Sequence, residues 1–210
     1  MKLYSYWRSS ASYRVRIALG LKGLSYEYAP VHLIRDGGDQ HAPAYAERNP
    51  MQQVPLLEID GLELTQSVAI IEYLEEMHPE PALLPKDAAT RAHVRRAVEV
   101  VNSGIQPLQN LTVMNEVKRL GGDPVVFARA ANVRGLTALE KIATEHGGDR
   151  LVGKTTTLAD VFLVPQMYGA RRFGVDLAPY PRLVAIDEAL SAIPAIAAAH
   201  PDRQVDAEPA

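Results

Sequence analysis

The chain has 210 residues, of which 47% are hydrophobic, and a formal net charge of -3. This composition supports one large or two small domains with real cores, and it gives no sign of a general attraction to nucleic acid or to anionic membranes. The chain contains no cysteine, which excludes disulfides, thiolate metal sites and a cysteine nucleophile and fits a reducing compartment.

The N-terminus has the pattern of a strand rather than that of a signal peptide. No uninterrupted apolar segment approaches the roughly 18 residues that a membrane span needs. We therefore expect a soluble, cytoplasmic protein.

In the first 80 residues the hydrophobic pattern alternates between the strand period and the helix period. Lys2 to Tyr6 alternates as a strand does, whereas Ser10 to Lys22 has helical spacing and stops at Gly23. Tyr26 to Leu33 is strand-like again, and Arg35 to Gln40 is a polar, glycine-rich loop.

Val54 to Leu64 has the pattern of a hairpin with Asp60-Gly61 as its turn, and Ser67 to His78 that of an amphipathic helix. The order strand, helix, strand, short helix, strand, strand, helix predicts a small mixed sheet with helices on its faces. The first strand–helix–strand unit is expected to be parallel and right-handed.

Strand patterns stop after the segment His78 to Asp87, which carries three prolines and is typical of a linker. The later segments are predicted to be helices: Ala88 to Lys118, Pro124 to His146, Leu158 to Phe173 and Pro181 to Ala199. The tail from Pro201 on is polar and expected to be loose. The sequence thus predicts an α/β domain over 1–80, a linker over 79–87 and an all-helical domain over 88–210.

Two strand-to-helix junctions in the first domain carry hydroxyl side chains. Ser9 and Ser10 precede the first helix, where free N–H groups and the positive end of the helix dipole favour an anionic atom. The simplest explanation is that Ser10 is an N-cap. A second such junction, Gln66-Ser67, and the Val54-Pro55 turn between the two junctions are more than capping explains.

The sequence resembles the zeta class of glutathione transferases, the maleylacetoacetate isomerases. The matching stretches are "YSYWRSSASYRVRIALGLKG", "HLIRDGG", "NPMQQVPLLEIDG", "QSVAIIEYLEE", "GIQPLQNL", "TLADVFLVPQ" and "RRFGVDLAPYP". They extend over almost the whole chain in the family's order. The resemblance implies a thioredoxin-like first domain, an all-helical second domain, glutathione held mostly by the first domain and a homodimer.

The resemblance also implies roles for individual residues. A hydroxyl of Ser9 or Ser10, with Ser9 the one aligned to the family's catalytic serine, would keep the sulfur of glutathione ionised. Val54, in the turn before Pro55, would pair main chain to main chain with the cysteinyl unit. The remaining residues expected at the glutathione site are Gln40, Gln53, Gln66, Ser67, Gln106 and Asn110.

The family's substrate is a diketo acid with two carboxylates and a cis double bond that becomes trans. Arg8 and Arg172, and more weakly Arg171, are the candidate carboxylate ligands, because guanidinium groups bind carboxylates in bidentate geometry. Ala11 stands where the family usually has cysteine, which affects the expected rate and substrate preference. A maleylpyruvate isomerase, a general glutathione transferase or dehalogenase, and a non-catalytic binding protein remain alternatives.

Two other patterns are weaker. The stretch "GDRLVGKT", 148–155, fits a phosphate-loop expression, but a helix pattern precedes it where that motif needs a strand. Thr157 and Asp160 instead resemble a capping box. The six histidines have no close ligand spacing, so no metal site is predicted.

Overall fold

The computed structural model describes residues 1–208 and divides the chain into two compact units. The first unit consists of Met1–Pro81 and Pro194–Ala210, and the second of Ala82–Ile193. The division after Pro81 falls inside the predicted linker. The predicted domain 88–210 differs from this division at its end, because residues 194–208 pack with the first unit.

A mixed sheet of four strands forms the centre of the first unit within residues 1–208. The strands are β1 (Lys2–Ser5), β2 (Glu27–Pro30), β3 (Leu56–Ile59) and β4 (Leu62–Thr65), in the order β2-β1-β3-β4. β1 pairs parallel with β2, as predicted, and antiparallel with β3. The predicted hairpin is confirmed: Asp60 and Gly61 connect β3 to β4 with φ of 52° and 78°, the left-handed region that Asp-Gly turns favour.

Helices α1 (Ser10–Leu21), α2 (Pro43–Arg48), α3 (Ser67–Met77) and α9 (Pro194–Ala198), numbered in chain order, complete the first unit. α1 packs against α3 and α9. Gly20 favours the close approach to α9, because a Cβ there would lie 3.2 Å from the carbonyl oxygen of Ala195, a tight contact. The predicted helices at 10–22 and 67–78 are confirmed to within a residue.

The second unit is built from α4 (Ala88–Asn102), α5 (Leu111–Arg119), α6 (Pro124–His146), α7 (Leu158–Arg172) and α8 (Pro181–Ser191). The single helix predicted over 88–118 is wrong: α4 ends at Asn102 and a 3₁₀ turn, Gln106–Gln109, precedes α5. Pro107 lies in the first turn of that 3₁₀ segment, where its missing N–H costs nothing. The helix predicted over 181–199 is likewise divided, into α8 and α9.

The predicted capping box at the start of α7 is confirmed. The carboxylate of Asp160 is buried and accepts hydrogen bonds from the N–H groups of Thr157 at 2.8 Å and Leu151 at 3.0 Å. Burial raises the pKa of Asp160 to about 6, although these hydrogen bonds favour the charged form. The 148–155 stretch lies in a loop that follows helix α6, so it lacks the strand of a phosphate loop.

None of the helices in residues 1–208 combines the length and the hydrophobicity needed to cross a membrane.

Candidate functional site

The pairing of the strands brings the candidate residues of the first unit to one edge of the sheet. Because Tyr4 lies opposite Leu56 in the antiparallel β1–β3 pair, the end of β1 adjoins the start of β3. Leu56 also lies opposite Thr65, so the end of β4 is at the same edge. The segments that meet there are Arg8–Ser10 after β1, Val54-Pro55 before β3 and Gln66-Ser67 after β4.

The parallel partner β2 ends at the same edge, since its Pro30 lies opposite Ser5. The chain then continues through His32 to Gln40. The strand register therefore brings these stretches to one edge of the sheet, and their forming one site stays a prediction.

Ser9, not Ser10, is the N-cap of α1, which corrects the simplest reading of the sequence. Its Oγ accepts a hydrogen bond from the main-chain N–H of Ser12 at 3.2 Å, and Ser10 is the first residue inside the helix. Since Ser9 is only half-buried, its own hydroxyl proton can point toward a ligand.

Arg8 lies beside Ser9 and over the ring of Trp7, with its guanidinium carbon 5.1 Å from the ring centroid. Trp7, by contrast, belongs to a buried cluster that also contains Tyr6, Val31 and Val54. The loop after β1 is thus anchored by an aromatic side chain that points into the core, while Arg8 stays partly exposed.

The Val54-Pro55 peptide bond is cis, and Val54 is buried. Within residues 1–208, no backbone hydrogen bond engages the N–H or the C=O of Val54, although β3 begins just after it. The preceding carbonyl, that of Gln53, is held at 2.7 Å by both the Tyr45 hydroxyl and the Asn49 side chain. The turn therefore presents a strand-like donor and acceptor that an extended peptide can pair with.

Gln66 has a φ of 70° and provides no side-chain cap to α3. Its exposed amide is therefore free to bind another group at the helix start. Ser67 is buried, and its Oγ accepts a hydrogen bond from Nη1 of Arg14 at 3.2 Å. A buried arginine and a helix N-terminus together favour negative charge at this junction.

Gln40 is buried, and its Nε2 donates to the Leu33 carbonyl at 3.3 Å. Its Oε1 has no partner in the described part of the chain. Gly38 allows this placement, because a Cβ there would lie 2.4 Å from that oxygen. An unpaired buried acceptor is costly, so Gln40 is suited to a ligand that donates to it.

Arg16, which the sequence analysis did not single out, organises the same edge from inside α1. It is buried, and burial lowers the pKa of its guanidinium. The guanidinium donates to the hydroxyl of Ser5 at 3.1 Å and to the carbonyls of Trp7 at 2.9 Å and Ala199 at 3.1 Å. Its signal in the sequence was a second arginine inside an otherwise apolar helix.

The tail from Pro201 is not loose, which corrects the prediction for residues up to 208. Asp206 accepts hydrogen bonds from the Trp7 N–H at 3.0 Å and from the Tyr28 hydroxyl at 2.7 Å. Glu208 accepts from Arg35 at 2.8 Å and lies 3.1 Å from Nε2 of His32. The tail therefore contacts the loops that follow β1 and β2.

The other predicted residues belong to the second unit. Gln106 donates to the side chain of Asn110, so these two amides are joined at the 3₁₀ turn before α5. Arg172 is exposed in the last turn of α7, whereas Arg171 pairs at 2.7 Å with the buried Asp187. That ion pair gives Arg171 a structural role.

A cluster of amide side chains includes Gln109 of the 3₁₀ turn before α5. The side chain of Asn132 donates to Gln109 at 2.9 Å and accepts from Gln166 at 2.6 Å. These residues were not predicted, because the amide network joins three helical segments that are far apart along the chain.

Residues 1–208 hold no group of three or more histidine, aspartate or glutamate side chains arranged to bind a metal ion.

The sequence matches two family models. "Glutathione S-transferase, N-terminal domain" covers residues 1–76 and "Glutathione S-transferase, C-terminal domain" covers residues 127–199. The chain belongs to the glutathione S-transferase family. The predicted fold, a thioredoxin-like domain followed by an all-helical one, is confirmed by these matches.

This glutathione S-transferase is similar to maleylacetoacetate isomerases over almost its whole length. The maleylacetoacetate isomerase of Rattus norvegicus is 50% identical over 204 residues, which cover 97% of this chain and 94% of the relative. Its counterpart from Anaeromyxobacter dehalogenans, solved with glutathione in its active site, has a TM-score of 0.89 and 52% identity and covers 99% of this chain and 97% of its own.

A third relative is a bacterial maleyl pyruvate isomerase described as a zeta-class glutathione S-transferase. Its holo structure has a TM-score of 0.95 and 42% identity, and the match covers 99% of this chain and 100% of that one. The resemblance to the zeta class drawn from the sequence is thereby confirmed.

Proposed function

We propose that this protein is a glutathione-dependent cis–trans isomerase that converts maleylacetoacetate to fumarylacetoacetate. One observation carries the proposal: the hydroxyl of Ser9, which caps α1, and the unpaired main-chain N–H and C=O of Val54 lie at the same sheet edge. The first suits a thiolate and the second suits the main chain of a tripeptide.

Ser9 is the residue to which we assign activation of the sulfur. Its Oγ already accepts from the Ser12 N–H, so its proton is available to donate to an anion. The free N–H groups of α1 add positive potential at the same point. A free thiol has a pKa near 8.5 and is mostly protonated at pH 7. Both effects lower the pKa of the bound thiol and so increase its thiolate fraction at pH 7.

The peptide part of glutathione fits the remaining groups. Val54 supplies main-chain N–H and C=O groups, and the cis peptide bond before Pro55 belongs to the turn that presents them. The unpaired Oε1 of Gln40 can accept from an N–H of the tripeptide. We assign the γ-glutamyl carboxylate to Gln66 and Ser67, and the outer contacts to Gln53, Gln106 and Asn110.

Bound glutathione supplies the nucleophilic sulfur for reversible addition to a conjugated double bond, which frees that bond to rotate and returns the thiol unchanged. Arg8 and Arg172 carry positive charge and hold the two substrate carboxylates in this proposal. Ala11 leaves the first turn of α1 without a thiol of its own, and Ser9 is the side chain to which we assign activation of the sulfur, together with the N–H groups of α1.

The similarity to a maleyl pyruvate isomerase supports a second candidate function, the isomerisation of maleylpyruvate. That reaction would use the same side chains and main-chain groups. We also propose a homodimer, as the resemblance to the zeta class implies. A cytoplasmic location is in line with the absence of cysteine from the chain. The net charge of -3 argues against a nucleic-acid partner.

The test is turnover of maleylacetone, a stable analogue of the diketo acid, with and without glutathione. We expect loss of the enol absorbance only when glutathione is present, with no net consumption of thiol. Consumption of thiol would indicate conjugation instead, and binding of glutathione without turnover would indicate a binding protein. A parallel assay with maleylpyruvate compares kcat/KM for the two acids.

A further inference from the structure

The main chain of Trp7 is held on both sides by charged groups from other parts of the chain. Its N–H donates to Oδ2 of Asp206 at 3.0 Å, and its C=O accepts from Nη2 of Arg16 at 2.9 Å. Hydrogen bonds to charged partners are about twice as strong as neutral ones. The loop after β1 is therefore clamped at the two peptide groups that flank Trp7.

That clamp bears directly on Ser9. The N–H of Ser9 donates to the carbonyl of Tyr6 at 3.0 Å, which makes Trp7 and Arg8 the central residues of a tight turn. Because Trp7 and Arg8 set the dihedral angles of this turn, a shift at Trp7 is expected to move Ser9 as well. The Ser9 hydroxyl is thus joined to the hydrogen bond between Trp7 and Asp206 through one short turn.

Asp206 is itself held in place by the first unit. Its Oδ1 accepts from the Tyr28 hydroxyl at 2.7 Å, and the next residue, Ala207, packs against the cluster that contains Trp7. Burial and the hydrogen bond to Asp206 raise the pKa of Tyr28, so this hydroxyl stays a donor. Farther back, Arg16 binds the carbonyl of Ala199 at 3.1 Å and so attaches the start of the same segment.

We propose that Asp206 is a positioning residue for Ser9, so that the C-terminal segment is part of the glutathione site. The inference rests on the proposed function for its chemistry. Asp206 touches neither the sulfur nor the substrate in this account; it fixes the turn that aims the Ser9 hydroxyl. Loss of its acceptor oxygen loosens that turn and lowers the fraction of bound glutathione present as thiolate.

The experiment compares D206A with D206N in the full-length protein. The amide of D206N keeps an oxygen for the Trp7 N–H and can donate to the Tyr28 hydroxyl, whereas D206A removes both partners. The matched control is D202A, which removes an exposed carboxylate from the same segment. Glutathione binding, thiolate absorbance across pH and kcat/KM with maleylacetone are measured for each variant.

A second readout needs no glutathione. Trp7 is the only tryptophan of the chain and is buried, so its fluorescence reports on this turn alone. We expect D206A to make Trp7 more accessible to acrylamide, to shift the thiolate titration to higher pH and to lower kcat/KM about tenfold. The kcat/KM of D206N is expected to stay within about threefold of the wild-type value. D202A is expected to match wild type in all three measurements.

Wild-type titration and quenching in D206A would overturn the proposal, as would equal losses in D206A and D206N. If D206A does not fold, Tyr28→Phe carries the test, because it removes the group that orients the carboxylate; unchanged quenching and titration there would also overturn it. A wild-type protein that binds no glutathione would instead refute the proposed function, and the quenching experiment would still test the clamp.

Discussion

The main-chain N–H of Ser12 donates to Oγ of Ser9 over 3.2 Å, so the hydroxyl assigned to the glutathione sulfur is also the N-cap of α1. A single side chain thus satisfies one free N–H of the helix and keeps its own proton available. Ser9 therefore contributes both to the stability of the fold and to the proposed chemistry. A substitution at Ser9 should change both, and each change has its own measurement.

Replacing Ser9 by alanine is expected to lower kcat about a hundredfold, the loss typical of removing one donor to a developing or bound anion. The same substitution should reduce the free energy of unfolding by about 1 kcal/mol, the value of an N-cap. Steady-state kinetics with maleylacetone and thermal unfolding measure the two effects.

The control for this prediction is Ser10→Ala. Ser10 lies inside the first turn of α1 and provides no cap, so the variant should keep both its activity and its stability. A loss of activity in S10A together with normal turnover in S9A would transfer the activating role to Ser10.

The local sequence predicted the elements that depend on local chemistry. Asp60-Gly61 favours the left-handed turn that the hairpin requires, and the proline-rich stretch after His78 marks the end of the first set of strands. The break after Asn102 also had signals, Gly104 and Pro107, but the apolar spacing on both sides obscured them.

The role of the C-terminal segment could not be predicted in the same way. Polar residues near a terminus usually indicate a loose tail. Asp206 is ordered instead by partners far away in sequence, Trp7 and Tyr28, and nothing near Asp206 signals those hydrogen bonds. The cap at Ser9 was missed by one residue for a related reason, since either serine satisfies the capping preference.

Gly38→Ala should weaken glutathione binding about tenfold. The new Cβ would lie 2.4 Å from Oε1 of Gln40, which has to move away from the position we assign to glutathione recognition. Calorimetric titration with glutathione measures the change in Kd.

Gly37→Ala is the matched control. Gly37 and Gly38 have φ of 89° and 98°, so both substitutions strain the backbone by at least about 1 kcal/mol, but a Cβ at Gly37 meets no atom within 4 Å. Equal losses of affinity in the two variants would show that loop strain, not Gln40, is responsible.

Arg172→Ala is expected to raise KM for the acidic substrate about tenfold and to leave the free energy of unfolding within about 0.5 kcal/mol of wild type. Arg171→Ala should instead lower the free energy of unfolding and leave KM unchanged. It leaves the buried carboxylate of Asp187, whose pKa burial already raises, without its 2.7 Å partner and costs about 2 kcal/mol of stability. Kinetics and urea unfolding of both variants test the contrast, and an unchanged KM in R172A would exclude the clamp.

The stability of the second unit should depend on pH through Asp160. Burial raises the folded-state pKa of this carboxyl from 3.8 to about 6. Between these values the folded protein binds more protons than the unfolded chain, so the free energy of unfolding falls as pH rises. The contribution of this group is full below about pH 4 and is lost by about pH 6, at most about 3 kcal/mol in total.

Urea unfolding of Asp160→Asn should give a flatter stability profile from pH 4 to 6 than wild type, because the amide does not titrate there. The variant is also expected to be less stable at pH 4, since its single side-chain oxygen can replace the acceptor of Leu151 or that of Thr157 but not both. The control Asp87→Asn removes an exposed N-cap carboxylate whose pKa is lowered by hydrogen bonds from Thr90, so it should alter the profile only below about pH 4. An equally steep fall in wild type and D160N would assign the titration to another group.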